Sequence, residues 1–95
     1  MEYERIIFSG HAVRQMFSRG IAKNDVLAII EHGQIIIEYP HDKPYPSRLM
    51  LGFMKDVPVH VVFAIDKEQR TGIVITAYIP DPHLWSENFK SRRNK

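Results

Sequence analysis

Apolar residues in this chain cluster into two runs joined by a polar turn, and the rest of the pattern arranges itself around them. The first run is Val57-Pro58-Val59-His60-Val61-Val62-Phe63-Ala64-Ile65, and the second is Gly72-Ile73-Val74-Ile75-Thr76-Ala77-Tyr78-Ile79. Both are short and rich in β-branched residues, which predicts central strands of a sheet. The charged stretch from Asp66 to Thr71 predicts a hairpin connection between them. Side chains alternate across a strand, so His60, Val62 and Ala64 share one face while Val59, Val61, Phe63 and Ile65 share the other. In the second run, Val74, Thr76 and Tyr78 oppose Ile73, Ile75, Ala77 and Ile79. The uniformly apolar faces are expected to be buried. The mixed faces carry His60, Thr76 and Tyr78 where packing alone would accept aliphatics, so a site is expected there.

Upstream, Tyr3 to Phe8 reads as a short edge strand or an extended lead-in. Ser9 is a helix N-cap, and a helix from about Gly10 to Ser18 ends at Gly20. Ala12, Val13, Met16 and Phe17 form its predicted apolar stripe, with His11, Arg14 and Ser18 on the opposite side. A second helix runs from Lys23 to His32. Asp25 favours its positive end, but Ala22 at the cap position has no side-chain acceptor. Ile21 and Val26 are spaced as a hydrophobic staple, and Val26, Ile29 and Ile30 make the buried stripe before Gly33 stops the helix. Gln34 to Tyr39 is a strand whose Ile35-Ile36-Ile37 run predicts cover on both faces. Pro40 to Ser47 is a loop, Arg48 to Met54 a strand, and Lys55-Asp56 a tight turn. Pro80-Asp81-Pro82 breaks the sheet, and His83 to Lys90 predicts a last helical turn or two with Leu84, Trp85 and Phe89 as apolar contacts. The fold class is α+β: two N-terminal helices packed on one face of an antiparallel sheet of about four strands, the other face partly open.

Composition narrows the class. The chain has 95 residues, 44% hydrophobic and 25% charged, which predicts one small domain over residues 1–95 with a single core. The absence of cysteine excludes disulfides and thiolate metal sites and fits a reducing cytoplasm. No apolar run approaches the roughly 20 residues that span a bilayer, and Met-Glu-Tyr-Glu-Arg, with its acidic residues, is not expected to open a secretory signal. The net charge of +2 is mild, but Lys90, Arg92, Arg93 and Lys95 crowd the C-terminus. Residues 90–95 are expected to be a disordered basic tail, serving either solubility or contact with RNA or an acidic partner.

Five histidines raise the question of a metal, but His11, His32, His41, His60 and His83 lie far apart and lack ligand spacing, so no metal site and no cofactor are expected. No serine sits in a nucleophile elbow, and no glycine loop cradles phosphate. Metal-free RNA cleavage suits the residues better. It needs a base for the 2′-hydroxyl proton, an acid for the leaving oxygen and positive charge at the phosphate, roles that histidine, tyrosine and arginine supply. The candidate catalytic residues are His11 and Arg14 from the helix with His60, Thr76 and Tyr78 from the sheet. Arg19, Arg48, Lys90, Arg92 and Arg93 are the candidate RNA contacts. Spacing does not say whether helix and sheet face meet. The same residues carry a plainer reading: His11 and Arg14 on a solvated helix side, His60 as a core histidine bonded to a backbone carbonyl, Thr76 and Tyr78 as ordinary strand residues, and Trp85 as a lid on the core.

The run Ser9-Gly10-His11-Ala12, Arg14, Arg19-Gly20-Ile21, Asp25-Val26 and Glu31-x-Gly33 resembles the opening of DUF4258, a family of small bacterial proteins. His60-Val61-Val62, Thr76-Ala77-Tyr78 and Trp85 are similar to its later segments. The resemblance implies distant kinship with RelE and BrnT toxins, in the fold class of barnase-like and colicin-type ribonucleases. It further implies a metal-independent endoribonuclease of a type II toxin–antitoxin pair, acting on free or ribosome-bound RNA. Its partner would be an antitoxin of the zinc-finger or helix-turn-helix type. The alternative function is a non-catalytic RNA- or protein-binding module using the same polar face. A homodimer through an exposed sheet face is a third expectation.

Overall fold

The strand pair read from the hydropathy pattern lies at the middle of the sheet. The computed structural model describes residues 2–93. In chain order the elements are β1 (Arg5–Phe8), α1 (Gly10–Arg19), α2 (Lys23–His32), β2 (Gln34–Tyr39), β3 (Ser47–Met54), β4 (Val57–Asp66) and β5 (Thr71–Tyr78). The sheet order is β1-β5-β4-β3-β2, with β4 central. Neighbouring strands from β2 to β5 are antiparallel, and β1 adds to β5 in parallel. The fold is α+β, two helices on a five-stranded mixed sheet, which corrects the expected antiparallel sheet of about four strands. A four-residue strand whose partner lies some 66 positions away in sequence leaves no local signal of its pairing.

Two bulges rearrange the expected faces. Between β4 and β5 the register moves from Val62↔Thr76 to Phe63↔Val74, leaving Ile75 unpaired. An extra residue flips the alternation beyond it. Val74 therefore joins Ala77 in the helix-side core, whereas Thr76 and Tyr78 stay on the face of His60. Ser9 holds this bulge: its N–H donates to the Val74 carbonyl at 3.0 Å and its hydroxyl to the Ile75 carbonyl at 2.8 Å. The second bulge separates Ile35 from Ile37 on β2, which is an edge strand with Ile35 left 40% exposed rather than covered on both faces.

The helix signals behave mostly as read. Ser9 Oγ also accepts from the Ala12 N–H at 3.0 Å, capping α1, and Gly20 ends it at φ 69°. Ala22 caps nothing with its side chain, but the Asp25 carboxylate accepts the Ala22 N–H at 3.1 Å. Gly33 stops α2 for a different reason from Gly20. Its φ is −73°, and a Cβ there would sit 2.5 Å from the Ile29 carbonyl oxygen. The predicted α1 stripe splits. Ala12 and Met16 are buried, while Val13 is 52% and Phe17 89% exposed.

One side of the sheet is closed by the helices, α1 over β5 and α2 over β3. Ala12, Met16, Val26 and Ile29 pack there with Val59, Val61, Phe63 and Ile65. The opposite side is covered in part by residues 80–93, where Pro80 and Trp85 are buried. This segment is not the expected helix. Leu84 and Trp85 N–H groups both reach the Asp81 carbonyl, making one turn. Ser86 N–H then bonds the Ser91 carbonyl, Arg93 N–H bonds the Leu84 carbonyl, and Trp85 bridges Arg92. Phe89 at φ 62° cannot continue a right-handed helix. Residues 90–93 are thus tied to the fold, contrary to the expected disordered tail; Asn94 and Lys95 lie outside the described residues. No helix among those residues is long and apolar enough to cross a membrane.

Candidate functional site

The β4–β5 register sets His60 directly opposite Tyr78. His60 Nδ1 lies 3.2 Å from the Tyr78 hydroxyl, and Nε2 lies 2.8 Å from the Phe89 carbonyl oxygen. A carbonyl only accepts, so Nε2 carries the proton and donates to Phe89. In the neutral ring Nδ1 then accepts from the Tyr78 O–H. Burial holds the His60 pKa below the ordinary imidazole value, against the raising influence of the Phe89 carbonyl. Burial also raises the Tyr78 phenol, with Tyr39 adding and Arg92 opposing, so the phenol stays protonated to donate. The Trp85 indole stands edge-on to the imidazole at 4.4 Å between centroids, and the Arg92 guanidinium lies 5.4 Å from the indole centroid. The His60 residue is 0% exposed. Every polar atom in the pair has a partner inside the chain. Chemically it is a complete hydrogen-bond relay from β5 through β4 to the C-terminal segment.

The remaining candidates divide among separate places. Thr76 is half-buried on the same face, paired with Val62. His11 and Arg14 are exposed on α1, across the sheet from His60. Among the described residues no hydrogen bond, ion pair or ring contact joins either of them to His60, Thr76 or Tyr78, so the helix-and-sheet constellation is not brought together. Arg19 is exposed at the end of α1. Arg48 pairs with Phe63 on the helix-side register, and its guanidinium lies 3.5 Å from the Glu2 carboxylate. Lys90 is exposed, Arg92 lies beside Trp85, and Arg93 Nε donates to the Pro82 carbonyl at 2.8 Å. No group of three or more His, Asp or Glu among the described residues is arranged to hold a metal ion. Sequence reasoning missed the Phe89 carbonyl, because a backbone acceptor carries no residue-type signal.

These features define a class: a two-helix, five-stranded α+β domain whose polar sheet face is latched to its own C-terminal segment. The chain belongs to the family described as Domain of unknown function (DUF4258), whose model matches residues 8–79. That span includes His11, Arg14, His60, Thr76 and Tyr78 and stops before Trp85. No curated protein and no solved structure matches the chain.

Proposed function

We propose that this chain is a binding module rather than an enzyme. The observation that carries this reading is His60: the strongest acid–base candidate has both ring nitrogens bonded within the chain and no surface in contact with solvent. A general base needs a free lone pair within reach of the substrate proton. His60 offers neither, and His11 and Arg14 stand on the other side of the sheet. Among the groups free to meet a ligand are the exposed cations and apolar side chains of α1.

A second reading keeps a specific observation behind it. In the middle of the sheet, a histidine and a tyrosine face each other near Arg92, and the segment that seals them lies beyond the residues the family model matches. A metal-independent endoribonuclease of RelE/BrnT-like fold, the toxin of a toxin–antitoxin pair, would use that pair once residues 81–93 lifted. One experiment separates the two. Wild type, Tyr78→Phe and Trp85→Ala, each checked for folding, are incubated with total bacterial RNA and also induced in cells. The binding reading expects intact RNA and normal growth from all three. Cleavage by wild type or by Trp85→Ala, lost when Tyr78→Phe is introduced, would establish the nuclease instead.

A further inference from the structure

The α1 surface has an unusual makeup for one that faces water. Phe17 is 89% and Val13 52% exposed, and the two stand four residues apart, adjacent on the helix surface. Between them and the chain that follows lies a hollow of about 300 Å³ lined by Phe8, Val13, Met16, Phe17, Ile21 and Lys23. Its floor is core, because Met16 and Ile21 are buried. One cation lines it, Lys23, whose Nζ sits 5.4 Å from the Phe8 ring centroid, and Arg14 and Arg19 are exposed elsewhere on α1. No residue of α1 is acidic, and the carboxylates that flank it in sequence are engaged elsewhere, Glu4 by Arg70 at 3.4 Å and Asp25 by the Ala22 N–H. Arg14 and Arg19 make no ion pair among the described residues.

An exposed aromatic beside a hollow with an apolar floor is costly in water and stabilising once an apolar side chain enters it. The surrounding charge then selects which apolar ligand approaches, through complementary potential and faster encounter. We infer that the α1 face is a docking surface for an acidic amphipathic segment of a partner protein. One large aliphatic side chain would fill the hollow between Val13 and Phe17, with Asp or Glu meeting Arg14, Arg19 and Lys23. Nucleic acid fits less well: a base stacks on Phe17, but it leaves the Val13, Met16 and Ile21 surface without an apolar occupant. This inference rests on the binding-module reading and names its partner class.

The test uses the full chain, isotopically labelled, titrated with a designed helical peptide carrying Leu at positions i, i+4 and i+7 and Glu elsewhere. A counterpart with Lys in place of Glu and a single-stranded oligouridine serve as comparisons. The acidic peptide is expected to shift the amide signals around Val13, Phe17, Ile21 and Lys23, and to bind at least tenfold tighter than the basic one. Phe17→Ala should weaken it about tenfold without altering the fold, since that ring is almost wholly exposed. Arg14→Glu with Arg19→Glu should remove most of its salt dependence. Equal binding of acidic and basic peptides, or unchanged affinity in Phe17→Ala, overturns the inference. So does oligouridine shifting the same amides more strongly, or self-association of the chain through Phe17. RNA cleavage by the wild type would sink the binding-module reading alone, and the peptide titration would still stand or fall by itself.

Discussion

The two sides of the sheet are closed by different chemistry. Toward the helices, aliphatic side chains from α1 and α2 meet Val59, Val61, Phe63, Val74 and Ala77, nearly all of them inaccessible to water. Toward the C-terminus, a single loop is held by an imidazole, a phenol, an indole and one backbone carbonyl. Aliphatic packing is non-directional and scales with area, so it tolerates small shifts and ignores pH. The polar latch is directional: each group has one good position, and losing one leaves a partner unsatisfied. The difference teaches why His60 resembles an active-site residue in sequence. A polar group placed in an aliphatic strand has a job, but the job can be to hold the chain's own loop.

The largest loss of stability is expected on the helix side. Phe63 is 1% exposed, stacks edge-on against Tyr3 at 5.3 Å and lies over Gly72. Phe63→Ala is expected to cost about 3–5 kcal/mol, read as the loss of unfolding free energy in urea. On the latch side, His60→Ala strands the Phe89 carbonyl and opens a small cavity, and is expected to cost about 2–3 kcal/mol. It should also loosen only one region: amide exchange should accelerate in residues 81–93 while the helix-side amides remain protected.

Acid sharpens the contrast further. The folded pKa of His60 lies below its unfolded value, so the unfolded chain binds the proton more readily. Stability is therefore full above the unfolded pKa of about 6.5 and falls as the pH drops below it. The melting temperature of the wild type should decline between pH 7.5 and 5.5, and His60→Phe should flatten that slope. A wild-type slope that survives His60→Phe would place the titrating group elsewhere. The smallest effect belongs to α1, which takes part in neither closure at its outer side. Phe17→Ala should change stability by less than about 0.5 kcal/mol, so any larger loss would mean that the ring supports the fold.

Much of the local structure was legible in the residues. Ser9 and Gly20 bracket α1, Lys55-Asp56 turns β3 into β4, and the alternation of Val59, Val61 and Phe63 names the helix-side face of β4. These features rest on contacts within a few positions, where residue type and period determine the geometry. The candidate site was legible only as residue types. His60 and Tyr78 were recognised, and even the plainer reading of a core histidine on a backbone carbonyl is met by Phe89. Which carbonyl, and that Trp85 would stand against the same ring, depends on how the last fourteen described residues fold back.

What the sequence determined by itself, then, is α1, α2 and the strands β2 to β5 with most of their caps and turns, but not the C-terminal segment, which it read as helix. What only the tertiary structure decided is which positions share a face after a bulge, as with Val74 and Tyr78. It also decided which half of the α1 stripe meets the sheet and which strand closes the edge of β5. Pairing β1 with β5, or laying Trp85 on His60, joins residues tens of positions apart. Such contacts are chosen by the shape of everything already packed between them, and no local period encodes that shape.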